Sequence, residues 1–327
     1  MTLLLTGAAG FVMSNAAQRW LAHDPAARAV LFDAAPWDPL LERFFAPQRE
    51  RLTFVQGDVR DPAAWERLPA AEITHIVHGA ALTPSAERER GEPRAVLDVN
   101  IMGTAAALEF ARRLPNLRRF IYVSSGAVYG DAPPGEAALP VPEAGRVAPI
   151  ELYAISKLAG EQITRRYSDL YGFAAASVRF SGVYGPLDRP TPARSVDCVP
   201  KKIISAALAG RPITVRALEA GGDFIHAGDV GDALTALLNA PAWGHPVYNV
   251  AYGEFVTIAA LIDLVREVVP GLRAVVTPAA EITYDPAQRL ARWAEYDLSR
   301  ITADTGWRPR PLRTALHDYV AWRQAND

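Results

Sequence analysis

An apolar run, Leu3-Leu4-Leu5-Thr6, stops at Gly7-Ala8-Ala9-Gly10 and gives way to an amphipathic stretch from about Phe11 to His23. Strand, glycine turn and helix in that order constrain the chain severely, because a strand that leaves into a helix comes back as a parallel neighbour. The alternation continues. Ala29–Asp33, Leu52–Gln56 and Ile73–His78 read as further strands. Beyond Pro84–Pro93, Glu92–Leu114 reads as a helix, Arg119–Ser124 as a strand, Glu151–Tyr171 as a helix and Ala174–Arg179 as another strand. The pattern predicts an α/β fold built on a doubly wound parallel sheet.

The texture changes past Ser181. Val183–Arg194 is rich in Gly and Pro, Pro200–Ala209 reads as helical, and turns recur at Gly210-Arg211-Pro212 and Gly221-Gly222-Asp223. Residues 1–180 are therefore expected to form the first domain and residues 181–327 a smaller C-terminal lobe. Residues 224–250 are expected to return to the sheet, through Phe224–His226 and a helix over Asp229–Asn239. Val247–Val250 is read as leading into a helix over Ile258–Val269.

Composition excludes several classes of function. Half of the 327 residues are apolar, enough for a packed core, and 34 basic against 36 acidic residues leave a net charge of −2. That balance provides no cationic field for nucleic acid or an anionic membrane. No apolar stretch is long enough to cross a bilayer and no signal peptide opens the chain, so a cytoplasmic protein is expected. Cys198 is the single cysteine, and the six histidines show no metal-ligand spacing, so no metal site is expected.

Gly7 and Gly10 lie where a pyrophosphate meets the N–H groups that open a helix, with Phe11 and Val12 in its first turn. Met13 stands where a third glycine would let helix and sheet approach closely. Asp33, closing the second strand about 20 residues on, can accept hydrogen bonds from both hydroxyls of an adenosine ribose and would repel a 2′-phosphate. NAD is thus expected over NADP. Asp58, with Val59 after the third strand, is a candidate adenine contact. Further along, Tyr153 and Lys157 stand four residues apart on one helix face, where an ammonium can lower the pKa of a phenol. Ser125, at a strand end, offers a hydroxyl for the reacting oxygen.

Glycine loop, strand-end acid, strand-end serines and Tyr-x-x-x-Lys, in this order along nearly the whole chain, resemble the extended short-chain dehydrogenase/reductase family. The similarity is to its NAD-dependent epimerase/dehydratase branch. The resemblance implies a Rossmann domain holding NAD and a C-terminal lobe that closes over a small substrate, often a nucleotide sugar. It implies Ser125, Tyr153 and Lys157 as catalytic residues. Ala80 and Ala81, in His78-Gly79-Ala80-Ala81, are implied along the cofactor through their backbone, with His78 packed rather than catalytic, and Asn100 is implied as support for the site. Thr83, Ser124, Ser125, Ser181, Arg216 and Arg289 are implied at the substrate cleft. A homodimer through the long helices is also implied.

Departures from the family pattern narrow the chemistry. Family 4,6-dehydratases carry an Asp-Glu pair where this chain has Gly126 and Ala127, and decarboxylating members carry Glu at the latter place. Gly222 replaces an arginine that clamps the diphosphate of nucleotide sugars, a role that Arg216 or Arg289 would have to take unless they are plain surface cations. What remains is a sugar epimerase acting through transient oxidation of a carbinol, with Tyr153 as base. The alternatives are a net dehydrogenase of a sugar, sugar acid or other secondary alcohol, and a non-catalytic NAD-binding scaffold.

Overall fold

The computed structural model describes residues 1–132, 138–194, 197–285 and 291–326. Its strands are β1 (Thr2–Thr6), β2 (Arg28–Asp33), β3 (Leu52–Gln56), β4 (His75–His78), β5 (Arg119–Ser125), β6 (Ala175–Phe180) and β7 (Gly182–Tyr184), then β8 (Ile213–Val215), β9 (Gly221–Gly222), β10 (Phe224–His226), β11 (Val247–Val250), β12 (Val256–Thr257) and β13 (Ala274–Val276). The helices are α1 (Phe11–His23), α2 (Pro39–Phe45), α3 (Pro62–Glu66), α4 (Ala86–Gly91), α5 (Pro93–Leu97) and α6 (Gly103–Ala111), then α7 (Leu152–Tyr171), α8 (Val199–Leu208), α9 (Ala227–Asn239), α10 (Ile258–Arg266), α11 (Ser299–Thr305) and α12 (Leu312–Asn326).

Seven parallel strands form the central sheet in the order β11-β6-β5-β4-β1-β2-β3. A sheet wound both ways from its middle buries both faces, so its strands are continuously apolar. Leu3 and Leu5 join the core beneath α1 and α9, while Leu4 joins the opposite core with Ile76, Phe120 and Leu108. Helix α1 packs closely on α9 because Gly231 carries no side chain; a Cβ there would lie 3.0 Å from the Asn15 carbonyl oxygen. On the other side Gly160 lets α7 settle on β5, with the Tyr122 hydroxyl occupying the space a Cβ would need. Helix α7 stops at Gly172, whose φ of +73° suits a left-handed C-terminal cap.

The second core gathers α8, α10 and α12 around β8. Two expectations change. Phe224–His226 does not return to the central sheet: β10 pairs with β7 in a separate two-stranded ribbon, because β7 leaves the sheet one residue after β6 ends. The strand that does return is β11, at the edge beside β6, and residues 227–239 pack as α9 against α1. The helix expected over Glu92–Leu114 runs without interruption from Pro93 to Ala111, but not as one regular α-helix. Pro93 starts α5, a π-turn spans Asp98–Met102, and α6 ends at Ala111. No helix among the described residues is long and apolar enough to cross a membrane.

Gly160→Ala is expected to force Tyr122 or α7 to shift and to destabilise the fold by about 1–3 kcal/mol. Urea unfolding should show a lower midpoint at unchanged slope, and an unchanged midpoint would refute this packing.

Candidate active site

The strand order reverses between β1 and β4, and ligands of open α/β sheets bind in the crevice at such a switch point. Gly7 sits there with φ +68°, and a Cβ on it would lie 2.8 Å from the backbone of Ala80. Gly10 N–H donates to the Gly7 carbonyl (3.0 Å) and the Ser14 hydroxyl donates to Ala8 (2.8 Å), fixing the turn. Helix α1 then begins with no side-chain cap and no acidic residue in its first turn, so its leading N–H groups and dipole point into the crevice. Met13 leaves the turn open. Its sulfur packs over Gly79, occupying the place of a Cβ there, so the missing third glycine of α1 is supplied by the facing strand end.

Asp33 joins the turn to β2: one carboxylate oxygen accepts from Ala9 N–H and the other from Ala35 N–H, each at 2.8 Å. Burial pushes its pKa up, and these N–H groups oppose that. Its remaining lone pairs suit a diol. Asp58 is forked onto Arg60, with a closest approach of 2.6 Å, which lowers its pKa, and Val59 is buried against Gly103. Glycine cradle, uncapped helix start and strand-end carboxylate together fit a dinucleotide.

Across the crevice the reactive groups converge. Tyr153, in the first turn of α7, has the hydroxyls of Ser125, at the end of β5, and Thr83, beyond β4, beside its own. Lys157 lies one turn on, its ammonium donating to the Val123 carbonyl (2.8 Å) and standing 5.7 Å from the Tyr153 ring centre. Asn100, in the π-turn, binds Leu82 through both its amide atoms and donates to the Ser156 hydroxyl (2.9 Å), which in turn donates to the Tyr153 carbonyl (2.7 Å). It therefore holds the loop after β4 against the helix that carries the tyrosine. His78 is buried, between the Thr6 (2.7 Å) and Thr104 (3.2 Å) hydroxyls, and burial holds its pKa down near 3, so it packs as a neutral ring. The Thr6 hydroxyl also accepts from Gly79 and Ala80 N–H, holding the backbone beside Ala81.

The electrostatics differ from the expectation drawn from the Tyr-Lys spacing. Burial raises the Tyr153 pKa above its ordinary value, and the groups that oppose it are Ser125, Thr83 and the guanidinium of Arg194. Burial also pulls Lys157 down to about 7, with Glu161 opposing, so the ammonium is only partly charged at neutral pH.

The remaining candidates scatter. Ser124 faces away from Ser125: it is buried and donates to Glu161 (2.5 Å), which is forked onto Arg179 at 2.8 and 2.7 Å. It belongs to an internal ion pair rather than to the crevice, since successive strand residues point to opposite faces. Ser181 lies against the buried carboxyl of Asp223. Arg216 is exposed and pairs with Asp285 at 3.7 Å. Arg289 lies outside the described residues. Two contributors carried no spacing signal in the sequence, Arg194 and Tyr296. The Tyr296 hydroxyl occupies the space above Gly126, where any side chain at that position would have to be. No cluster of metal-ligating side chains occurs among the described residues.

A sequence model of the NAD dependent epimerase/dehydratase family matches residues 3–251. The chain belongs to that family. Over 99% of both chains it is 26% identical to a putative UDP-glucose 4-epimerase of Methanocaldococcus jannaschii. Its fold matches a UDP-glucose 4-epimerase of Thermotoga maritima crystallised with UDP-glucose, at a TM-score of 0.81 and 22% identity over 99% of each chain. A Thermus thermophilus UDP-glucose 4-epimerase in complex with NAD matches at 0.78 and 27% identity, over 99% of this chain and all of that one. The chain is thus an NAD-dependent enzyme of the extended short-chain dehydrogenase/reductase type.

Lys157 should titrate near neutrality. Because the folded protein gives up this proton near pH 7 and the unfolded chain only near 10.5, the folded state binds fewer protons in between. The stability owed to this group therefore rises with pH across that window. With three lysines in the chain, carbon-labelled lysine NMR should show one resonance moving around pH 7 and missing in Lys157→Met. A flat set of resonances up to pH 9 would contradict this.

Proposed function

We propose that the protein is a nucleotide-sugar epimerase that inverts one carbinol carbon without net oxidation. The observation that carries the reading is the convergence of Tyr153, Ser125 and Thr83 hydroxyls beside Lys157, across the switch-point crevice from the glycine turn. The full-length similarity to sugar-nucleotide 4-epimerases supports it.

The Gly7–Val12 turn and Asp33 would hold NAD, which when bound would supply a reversible hydride acceptor for a carbinol carbon. The chain's own residues handle the proton. The Tyr153 oxygen takes it from the substrate hydroxyl and later gives it back, so no proton is gained or lost over a cycle. Ser125 and Thr83 hold the reacting oxygen against Tyr153 in both protonation states. Lys157 keeps the phenolate form accessible once it is charged, and Asn100 fixes the angle at which α7 presents the tyrosine. Elimination chemistry has no acid here, since the Tyr296 hydroxyl fills the space beside Gly126.

The protein is also read as a homodimer. Met102, the last residue of the π-turn, and Ile155, in the first turn of α7, are 59% and 41% exposed, and a second copy would cover them. Ile155→Arg should then elute as a monomer in light-scattering chromatography, whereas an unchanged mass would place the interface elsewhere.

Tyr153→Phe should lower turnover at least 100-fold while NAD affinity stays within a few-fold, since it removes one hydroxyl. With UDP-glucose as substrate, the wild type should yield the epimer with no accumulation of reduced cofactor. Stoichiometric NADH would identify a net dehydrogenase instead, and full activity in the phenylalanine variant would refute the proton assignment.

A further inference from the structure

The segment Leu187–Arg194 leaves the second lobe and is fastened, loop by loop, to the rim of the dinucleotide crevice. Asn15 of α1 donates to the Pro186 carbonyl (3.0 Å), just ahead of the segment. Arg189 pairs with Asp38 after β2, and Arg88 of α4 donates to the Pro192 carbonyl. Thr83 N–H, after β4, donates to the Ala193 carbonyl (2.8 Å).

Arg194 ends this strap. Its guanidinium lies 4.8 Å from the ring centre of Phe11, the first residue of α1, and donates to Asp188 at 2.5 Å. The Asp188 side chain is wholly buried and also faces Lys201 at 3.8 Å. An arginine on a surface loop ordinarily extends into water, because removing its charge from solvent is costly. Here a buried carboxylate retains it over the ring that opens α1, with its side chain 21% exposed. The same spot already carries the uncapped N–H groups and positive dipole end of α1. Two positive features on one side of the turn, with no acid in the first helical turn, make a site for a dianion.

We propose that Arg194 is a diphosphate-binding residue, held by Asp188, that closes over the pyrophosphate of a dinucleotide seated on the Gly7–Phe11 turn, and that the strap makes release of the cofactor slow. This rests on reading that turn as the NAD site. A cofactor fastened by a strap from the other lobe stays through many cycles, as a reaction that returns its own hydride requires. The backbone of Arg194 is bridged to that of Thr83, which sets its guanidinium where the charge also reaches Tyr153.

The test is retention of NAD by protein that has been loaded, freed of excess and diluted, with UDP affinity measured in parallel. Arg194→Ala should weaken NAD binding at least tenfold and shed the cofactor during gel filtration, with UDP affinity within twofold of wild type. Arg194→Lys should fall between, because it keeps the charge but loses the fork. Unchanged NAD retention in both variants would overturn the proposal, as would loss of UDP affinity with NAD retained, which would assign the guanidinium to the substrate's diphosphate. Should the alanine variant fail to fold, the lysine variant and the salt dependence of NAD binding by wild type decide: binding indifferent to salt would also overturn it. A wild type that does not bind NAD at all would instead refute the reading of the turn.

Discussion

A glycine with no room for a side chain governs this molecule. Gly7 brings the turn after β1 within 2.8 Å, measured from the place of a Cβ, of the backbone after β4, and that contact lies where the strand order reverses. Any larger residue would push apart the two strand ends that flank the crevice. The consequence reaches further, because Thr6, one residue earlier, holds both Gly79 and Ala80 and the buried ring of His78. The loop those residues begin runs on to Leu82, which Asn100 secures, and to Thr83, which touches Tyr153. The glycine turn after β1 and the hydroxyls grouped around Tyr153 are thus joined through one connected backbone.

Much of this was legible in the sequence, for reasons that are local. Leu3–Thr6, the two glycines, Asp33 and the Tyr-Lys pair each reveal themselves within one element, and β1, β2, α7 and the position of Tyr153 follow within a residue or two. Phe224–His226 was misread because so short a strand looks alike whether it extends a central sheet or pairs with a short strand beyond its edge. The helix over Glu92–Leu114 was legible, but the π-turn within it leaves no compositional mark, although one falling at Asn100 fits the tendency of such turns to occur at functional sites.

The site was legible in kind and less so in its electrostatics. Spacing shows that Tyr153 and Lys157 share a face, but it does not show that both are desolvated, and desolvation is the largest influence on each. Ser124 and Ser125 are equal candidates in one dimension. In three they divide, one facing the crevice and the other completing the hydrogen bonds of Glu161 beside Arg179. That buried pair joins β5, β6 and α7, and Arg179 also lies 4.9 Å over the ring of Tyr129, whose hydroxyl donates to Asn249 on β11. Because removing one partner of a buried ion pair strands the other, this network fixes the register of the strands whose ends carry the chemistry.

Arg194 and Tyr296 escaped the sequence for the same physical reason: each acts at a distance along the chain that no spacing rule covers. Tyr296 does so by volume. Its hydroxyl donates to the Arg292 carbonyl (2.9 Å), which keeps the ring over Gly126, close to the buried Asp223 carboxyl, whose pKa burial raises to about 6. Asp223 in turn accepts the N–H groups of Tyr252 (2.8 Å) and Gly253 (2.7 Å), so the C-terminal segment, the ribbon of β7 and β10 and the end of β5 are joined at one point. A glycine at position 126 is therefore the counterpart of a tyrosine 170 residues later. The space beside that glycine, next to Ser125, is thus filled by a ring from the far end of the chain.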